Sequence, residues 1–290
     1  LKITSVESNR QWLDGGAMFG NAPRPVWEKW IAPDDNGRIP LACRCFLVEI
    51  DGKKILLETG IGAFFEPKLA DRYGVENPTE HRLLENLKMR GVSEEDIDCV
   101  ILSHLHFDHA GGLLPVHSTS TNIEQRLLFP NAQYVTGREA WDRALHPHSR
   151  DRASFLPELN ALLQKSGRLK LIDEKNPETL FNHQISFRFT HGHTPGHLHT
   201  VLNGASQTAI FAGDLIPGQA WVHVPITMGY DRFAEKVIDE KLNLYQTCVP
   251  QKWLVLFTHD AKLAASVITK DEREKYHTQE VFPTLAAFDL

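Results

Sequence analysis

Histidine stands out in this sequence, with 15 copies in 290 residues, and the copies are clumped. His104, His106, His109 and His117 form one group, and His191, His193, His197 and His199 form another. Clumped imidazoles suit a metal better than they suit core packing. The first group lies in the run Ser103-His104-Leu105-His106-Phe107-Asp108-His109. Two histidines two residues apart in a tight loop can reach one ion from the same side. Asp108 and His109, on the next turn of chain, can reach a second. A carboxylate from elsewhere, such as Asp214 in its Gly-Asp pair, has two oxygens and can bridge them. Two ions about 3.5–4 Å apart clamp a shared water and lower its pKa towards neutrality. Three imidazoles with a carboxylate suit zinc, with manganese, iron or cobalt as alternatives.

The elements that must position these groups are legible as short strands. Cys99–Leu102 runs into the first histidine group, 185–190 into Gly192-His193-Thr194-Pro195-Gly196-His197, 208–212 into Asp214, and 253–257 into Thr258-His259-Asp260. Ligands at strand ends can converge on one rim of a rigid sheet. Residues 41–50 and 53–58 read as a hairpin around Asp51-Gly52, since Asp-Gly supplies the positive φ of a tight turn. Further strands are expected at 133–136, 168–172 and 198–203. Helices are expected over 80–90 between Thr79 and Gly91, over 138–146, over 156–166 up to Gly167, and over 231–246, where Phe233, Val237, Ile238 and Leu242 share a side. Ser93 and Asp96 have capping-box spacing for a short turn at 93–97. The charge runs Glu94–Asp98 and Lys270–Lys275 read as solvated helix faces.

The motifs, in this order, resemble those of the metallo-β-lactamase-fold superfamily. The resemblance runs from the 41–58 hairpin to His259, and SHLHFDHAGG carries most of it. It implies an α/β (α+β) chain folded as a four-layer αββα sandwich with the metal site at one edge of the two sheets. It also implies two divalent metal ions per chain, one held by His104, His106 and His193, the other by Asp108, His109 and His259, with Asp214 bridging. The look is closest to N-acyl homoserine lactonase-like and organophosphate hydrolase-like members. The expected activity is a metal-bound hydroxide attacking a lactone or ester carbonyl, with Asp108 or Asp214 moving the proton. Alternatives are a phosphotriester or thioester hydrolase of the same fold, a mononuclear iron dioxygenase, or a non-catalytic metal- or ligand-binding sensor.

Three departures from the family pattern stand out. Glu58 occupies a position where the family has Asp; its role would be to hydrogen-bond behind the ligand loop, as His197 would elsewhere. His191 stands where Pro is common. Leu215-Ile216-Pro217-Gly218 replaces the stretch where related lactonases place a Tyr, and the nearest later Tyr is Tyr230. Phe107, Trp221 and His223 are candidates for the substrate pocket, whereas Met18, Phe19, Phe64 and Phe65 read as core, with an apolar pocket as the alternative. His117, His146 and His148 read as solvated, and His199 as part of a strand.

A single domain over 1–290 is the simplest parse, with the Pro- and Trp-rich segment 14–40 as a lid or strap and 113–132 as a second long loop. The net charge of −6 with no basic block argues against nucleic acid as partner, and no apolar run spans a membrane. A small ester or lactone is the expected partner, and a homo-oligomer is left open. The four cysteines read as buried free thiols, so the expected compartment is the cytoplasm, with a leader cleaved before Leu1 left open.

Overall fold

A computed structural model describes residues 1–119 and 126–290. The central part of the expected 113–132 loop therefore lies outside the described residues. The chain begins β1 (Lys2–Val6), β2 (Gln11–Asp14), α1 (Gly15–Phe19), α2 (Arg24–Trp27), β3 (Arg38–Leu41), β4 (Cys45–Ile50) and β5 (Lys53–Leu57). It continues α3 (Pro67–Arg72), α4 (Arg82–Lys88), β6 (Cys99–Ile101), the single turn α5 (Phe107–Ala110), β7 (Gln133–Gly137), α6 (Arg138–Leu145), α7 (Pro157–Lys165) and β8 (Leu169–Ile172). The rest is β9 (Ile185–Thr190), β10 (His197–Asn203), β11 (Thr208–Phe211), α8 (Ala234–Cys248), β12 (Leu254–Leu256), β13 (Ala265–Lys270), β14 (Tyr276–Phe282) and β15 (Phe288–Asp289).

Two sheets carry the fold. One is seven-stranded in the order β15-β1-β4-β5-β6-β7-β8, the other six-stranded in the order β14-β13-β12-β11-β10-β9, and β2 pairs with β3 apart from both. Period-two alternation sorts β4 to two sides. Phe46, Val48 and Ile50 pack between the sheets with Phe187, Leu198, Leu202 and Phe211 of the other sheet. Cys45 and Leu47 point the opposite way, into a cluster with Leu83 and Leu87 of α4, Trp141 of α6 and Leu159 of α7. The second sheet's outer side, through Val201, Ile210 and Val255, is covered by Val237, Leu244 and Tyr245 of α8. The layers are thus helix, sheet, sheet, helix, as expected.

Several boundaries move for identifiable reasons. The strand expected over 41–50 is split into β3 and β4, because residues 42–44 pair with another partner. The Ala42 N–H donates to the His259 carbonyl and the Arg44 N–H to that of Thr258, at 3.2 and 2.9 Å. α4 is capped by His81, whose ring accepts from Leu84 N–H, rather than by Thr79. α8 starts at Ala234, not 231, because Arg232 and Phe233 donate their N–H groups to the carbonyls of His193 and Gly192. Lys270–Lys275 is not a helix face; it is the end of β13 and the turn into β14. Ser93 N–H and Oγ both donate to Asp96, the expected capping box. All four cysteines are buried and free.

Segment 14–40 folds as two short helices between β2 and β3, and its rings are inserted in the body of the protein. Phe19 is stacked between Trp27 and Trp221, with centroids at 5.5 and 4.7 Å and interplanar angles of 7° and 5°. Trp221 Nε1–H donates to the Met18 carbonyl at 3.0 Å. The segment is thus held to the body by its packed rings.

Beneath the same region lies Lys241 of α8, fully buried, whose Nζ donates to the carbonyls of Trp221 and Ile226. Burial pushes this amine down from 10.5 to about 7. A neutral amine has two N–H groups, enough for the two carbonyls. In the unfolded chain the amine keeps its proton up to about pH 10.5, so between about 7 and 10.5 the unfolded state binds more protons than the folded one. The stability of the fold should therefore rise through that window. Urea unfolding of the protein and of Lys241→Met over pH 6–10 checks this: the native protein should gain on the variant as pH rises. Parallel curves would refute it.

Candidate metal centre

The strand ends do converge. β6 ends at Ile101, and the following loop carries His104 and His106 before α5 supplies Asp108 and His109. His193 follows β9, Asp214 follows β11 and His259 follows β12. The loop after β6 is fixed from behind by Glu58, which leaves β5 with φ +64°. Its Oε1 accepts from Ser103 N–H at 2.7 Å, and its Oε2 lies 3.3 Å from His109 Nδ1. Glu58 thus reaches the ligand loop with both carboxylate oxygens. Thr59 adds a second hold: its N–H and Oγ1–H both donate to the His109 carbonyl.

Three groups of ligand atoms result, one of which, His104, His109 and Asp214, spans the other two. His104, His106 and His193 form one of those two, and Asp108, His109 and His259 the other; within each, the atoms lie within 4.8 Å of one another. His104 Nε2 is 2.9 Å and His193 Nε2 3.4 Å from His106 Nδ1. In the second group His259 Nε2 is 3.6 Å and His109 Nε2 3.9 Å from an Asp108 oxygen. Asp214 faces both. Its Oδ2 lies 3.2 Å from His193 Nε2, and its Oδ1 lies 3.1 Å from His259 Nε2 and 3.3 Å from His109 Nε2. Ligand atoms around a four-coordinate ion at about 2.0–2.1 Å are roughly 3.3–3.5 Å apart. The observed separations bracket that value.

The residues fit a pair of metals on a second count. Asp214 Oδ1 and His109 Nε2 are buried and have no hydrogen-bond partner among the described residues. Buried polar atoms without partners are costly, and a cation between them removes the cost. The outward-facing ring nitrogens, in contrast, are mostly engaged. His193 Nδ1 is 2.8 Å from Asp231 Oδ1, His259 Nδ1 2.7 Å from the Ala42 carbonyl, and His104 Nδ1 2.9 Å from Ser103 Oγ. Gln11 Nε2–H donates to Asp108 Oδ2 at 2.7 Å. His197 Nε2 accepts from Asp214 N–H at 3.3 Å, so this histidine stands behind the Asp214 carboxylate. Such contacts set ring orientation and tautomer.

Electrostatics divides the two halves. Burial, then the neighbouring imidazoles of His109 and His106, hold His104 well below the usual histidine range. Burial and His193 do the same to His106. Burial also opposes protonation of His109 and His259, but the carboxylates of Asp214 and Asp108 and the hydrogen bonds to the rings together outweigh it and raise both well above that range. Asp214 is held well below the usual carboxylate range: burial resists ionisation, and His109, His259 and His193 overcome it.

The centre opens into a cleft of about 440 Å³, lined by His106, Asp108, His193, Asp214 and His259 at one end. Phe107 lines it, backed by Tyr73 at 4.5 Å. Met18, Arg38 and Tyr230 also contribute. Two expected pocket residues are elsewhere. Trp221 is buried in the aromatic stack, and His223 stacks on Trp30 at 5.3 Å beside a separate hollow. The chain between Asp214 and Asp231 doubles back through segment 14–40, so the residues that reach the cleft come from its far end. His117, His146 and His148 are exposed. His199 is buried on β10 against Thr190 Oγ1, and burial lowers it to about 3. Gln11 and Asp231 had no signal in spacing or composition, since their partners are 97 and 38 residues away.

The model of the metallo-beta-lactamase superfamily matches residues 38–250. The chain belongs to the metallo-β-lactamase superfamily. Among metallo-β-lactamase relatives, an N-acyl homoserine lactonase of Bacillus thuringiensis is 29% identical over 165 residues, 53% of this chain and 55% of that protein. The chain thus matches about half the length of that relative. An N-acyl homoserine lactonase of a Bacillus species is 28% identical over 236 residues, covering 74% of this chain and 80% of the relative. A probable metal-dependent hydrolase from Staphylococcus aureus shares the fold with a TM-score of 0.83 at 24% identity, over 96% of both chains. A dizinc quorum-quenching lactonase in complex with a product superposes with a TM-score of 0.71 at 21% identity, over 96% of this chain and 93% of that one. Among the described residues no helix is long and apolar enough to cross a membrane.

The position of Asp214 makes a prediction. Asp214→Ala should lower the content of both metals, whereas Asp231→Ala should weaken metal affinity about 10–100-fold by freeing His193. Metal analysis after equilibrium dialysis checks both. Full loading of the Asp214 variant would contradict the bridging assignment.

Proposed function

We propose that this chain is a dinuclear metal-dependent hydrolase of a small lactone or ester. The observation that carries the reading is the two-faced contact of Asp214: one oxygen towards His193, the other towards His109 and His259. The lactonase relatives support the substrate class. Of the expected metals, zinc suits the imidazole-rich donor set best, with manganese, iron and cobalt accepted by the same atoms.

Bound at these residues, two divalent ions would lower the pKa of a shared water and polarise the carbonyl oxygen. The chain's own side chains do the rest. Phe107, Tyr73, Met18 and Met228 give the cleft an apolar wall against which the acyl part packs. Asp108 lies at the cleft with Oδ2 fixed by Gln11, a carboxylate placed to accept the proton of the attacking water and return it to the leaving alkoxide. Asp214 keeps its charge through its imidazole neighbours and serves as the second candidate for that proton. Tyr230 occupies the cleft although no Tyr follows Asp214 closely in sequence. Burial and Asp108 raise its phenol, so the hydroxyl stays protonated and offers a donor to the carbonyl oxygen as charge develops there.

The test is turnover on a panel of lactones, carboxylic esters, thioesters and phosphotriesters, with metal content measured on the same sample. Lactone or ester hydrolysis at two metals per chain, abolished by chelation and restored by metal, is expected. Tyr230→Phe should lower kcat about 100-fold with metal content unchanged. Tight ligand binding without turnover in a fully loaded sample, or oxygen uptake with one iron, would overturn the reading.

A further inference from the structure

The metal cleft of this acidic protein is lined by four arginines: Arg38, Arg72, Arg150 and Arg232. Each guanidinium has five N–H donors and a fixed charge. Elsewhere on the molecule some arginines meet carboxylates, as Arg126 does with Glu94 and Arg143 with Asp151, and others, such as Arg90 and Arg168, bond to backbone carbonyls. Among the described residues none of the four cleft arginines forms an ion pair with a carboxylate. Their bonds go to neutral backbone oxygens. Arg38 Nη1–H donates to the Asp71 carbonyl at 3.3 Å, Arg150 Nη2–H to that of Gly229 at 2.9 Å, and Arg232 Nε–H to that of Tyr230 at 2.9 Å. The Arg72 guanidinium lies 5.9 Å from the Tyr73 ring.

Arg150 and Arg232 carry the argument furthest. Both are tied to adjacent carbonyls, those of Gly229 and Tyr230, so two like charges are brought to one short stretch of chain. The nearby Asp151 carboxylate pairs with Arg143 through Oδ2 at 2.8 Å, and its charge also acts on Arg232 without a direct ion pair. Arg232 Nη1 is buried and has no partner among the described residues. Of the carboxylates lining the cleft, Asp108 and Asp214 face imidazoles, and Asp14 Oδ1 accepts from the Ala17 N–H. Like charges held together with an unused buried donor are a receptor for an anion.

Resting on the hydrolase reading, we infer that the substrate carries, besides its scissile ester or lactone, an anionic group held by Arg150 and Arg232, with Arg38 and Arg72 adding to the positive lining. Carboxylate and phosphate share the required chemistry: two or more oxygens that accept guanidinium N–H bonds. The anion stays bound in ground state and transition state alike, so its loss appears mainly in KM. The attraction falls with ionic strength.

The metal-loaded enzyme is assayed with three esters of matched acyl length: 4-nitrophenyl pentanoate, which is neutral; the mono-4-nitrophenyl ester of glutaric acid, which ends in a carboxylate; and 4-nitrophenyl 4-(phosphonooxy)butanoate, which ends in a phosphate. At least one anionic ester should exceed the neutral one in kcat/KM about tenfold or more at low salt, and the arm that wins identifies the anion. The preference should shrink in high salt. Arg150→Met and Arg232→Met should each bring the anionic-to-neutral ratio towards one, mainly through KM, whereas Arg152→Met, outside the cleft, should keep it. Arg150 is exposed, so its variant tests the claim even where Arg232→Met fails to fold. Turnover without charge preference, or a preference that survives in the Arg150 variant, would overturn this inference alone. No turnover of any ester or lactone at two metals per chain would overturn the hydrolase reading and this inference with it.

Discussion

The buried carboxylate of Asp214 is the constraint from which the rest follows. One of its oxygens has no hydrogen-bond donor, and three imidazoles stand within 3.3 Å of its two oxygens. An ionised group out of water is stable only beside compensating charge. Asp214 favours positive charge at its neighbours, and with Asp108 it raises His109 and His259 well above the usual histidine range. His104 and His106 are driven the other way, to neutral rings with free lone pairs. The site is thus a set of donors whose mutual arrangement makes sense around cations.

Holding such a set in place falls to the scaffold. The ligands come from the ends of β6, β9, β11 and β12, strands buried in the two sheets, and the loops they enter are tied from behind. Glu58 and Thr59 hold the His104–His109 loop, Asp231 orients His193, and Ala42 orients His259 through a backbone carbonyl. The last contact explains the break in the first hairpin: residues 42–44 leave the sheet to pair with the His259 loop. Gly213 shows how tight the packing is. It has φ +49°, and a Cβ there would meet His197 Nε2 at 2.7 Å.

How much of this was legible follows from what each signal depends on. The convergence of the histidine and aspartate groups is readable because H-x-H-x-D-H is local and because short apolar runs ending in His or Asp mark strand ends. The αββα layering follows from the resemblance, and the alternation in β4 and β9 agrees with it. Contacts made at long range left no trace: Gln11 on Asp108 and Asp231 on His193 pair residues distant along the chain. The pocket residues went astray for a related reason. Nearness to Asp214 in sequence suggested Trp221 and His223, but the chain after Asp214 dives under segment 14–40, where Phe19 stacks on Trp221. It reaches the cleft at Met228, Tyr230 and Arg232. The charge run at Lys270–Lys275 was misread as a helix face because charge reports exposure, which a hairpin turn satisfies equally well.

The central claim is that one carboxylate joins two ion sites built on separate strand ends. Anomalous diffraction from crystals of the protein loaded with zinc tests it most directly. Two peaks per chain, one among His104, His106 and His193 and one among Asp108, His109 and His259, each in contact with a different oxygen of Asp214, is the predicted result. A single peak at saturating zinc, or two peaks with Asp214 touching only one, would contradict the account.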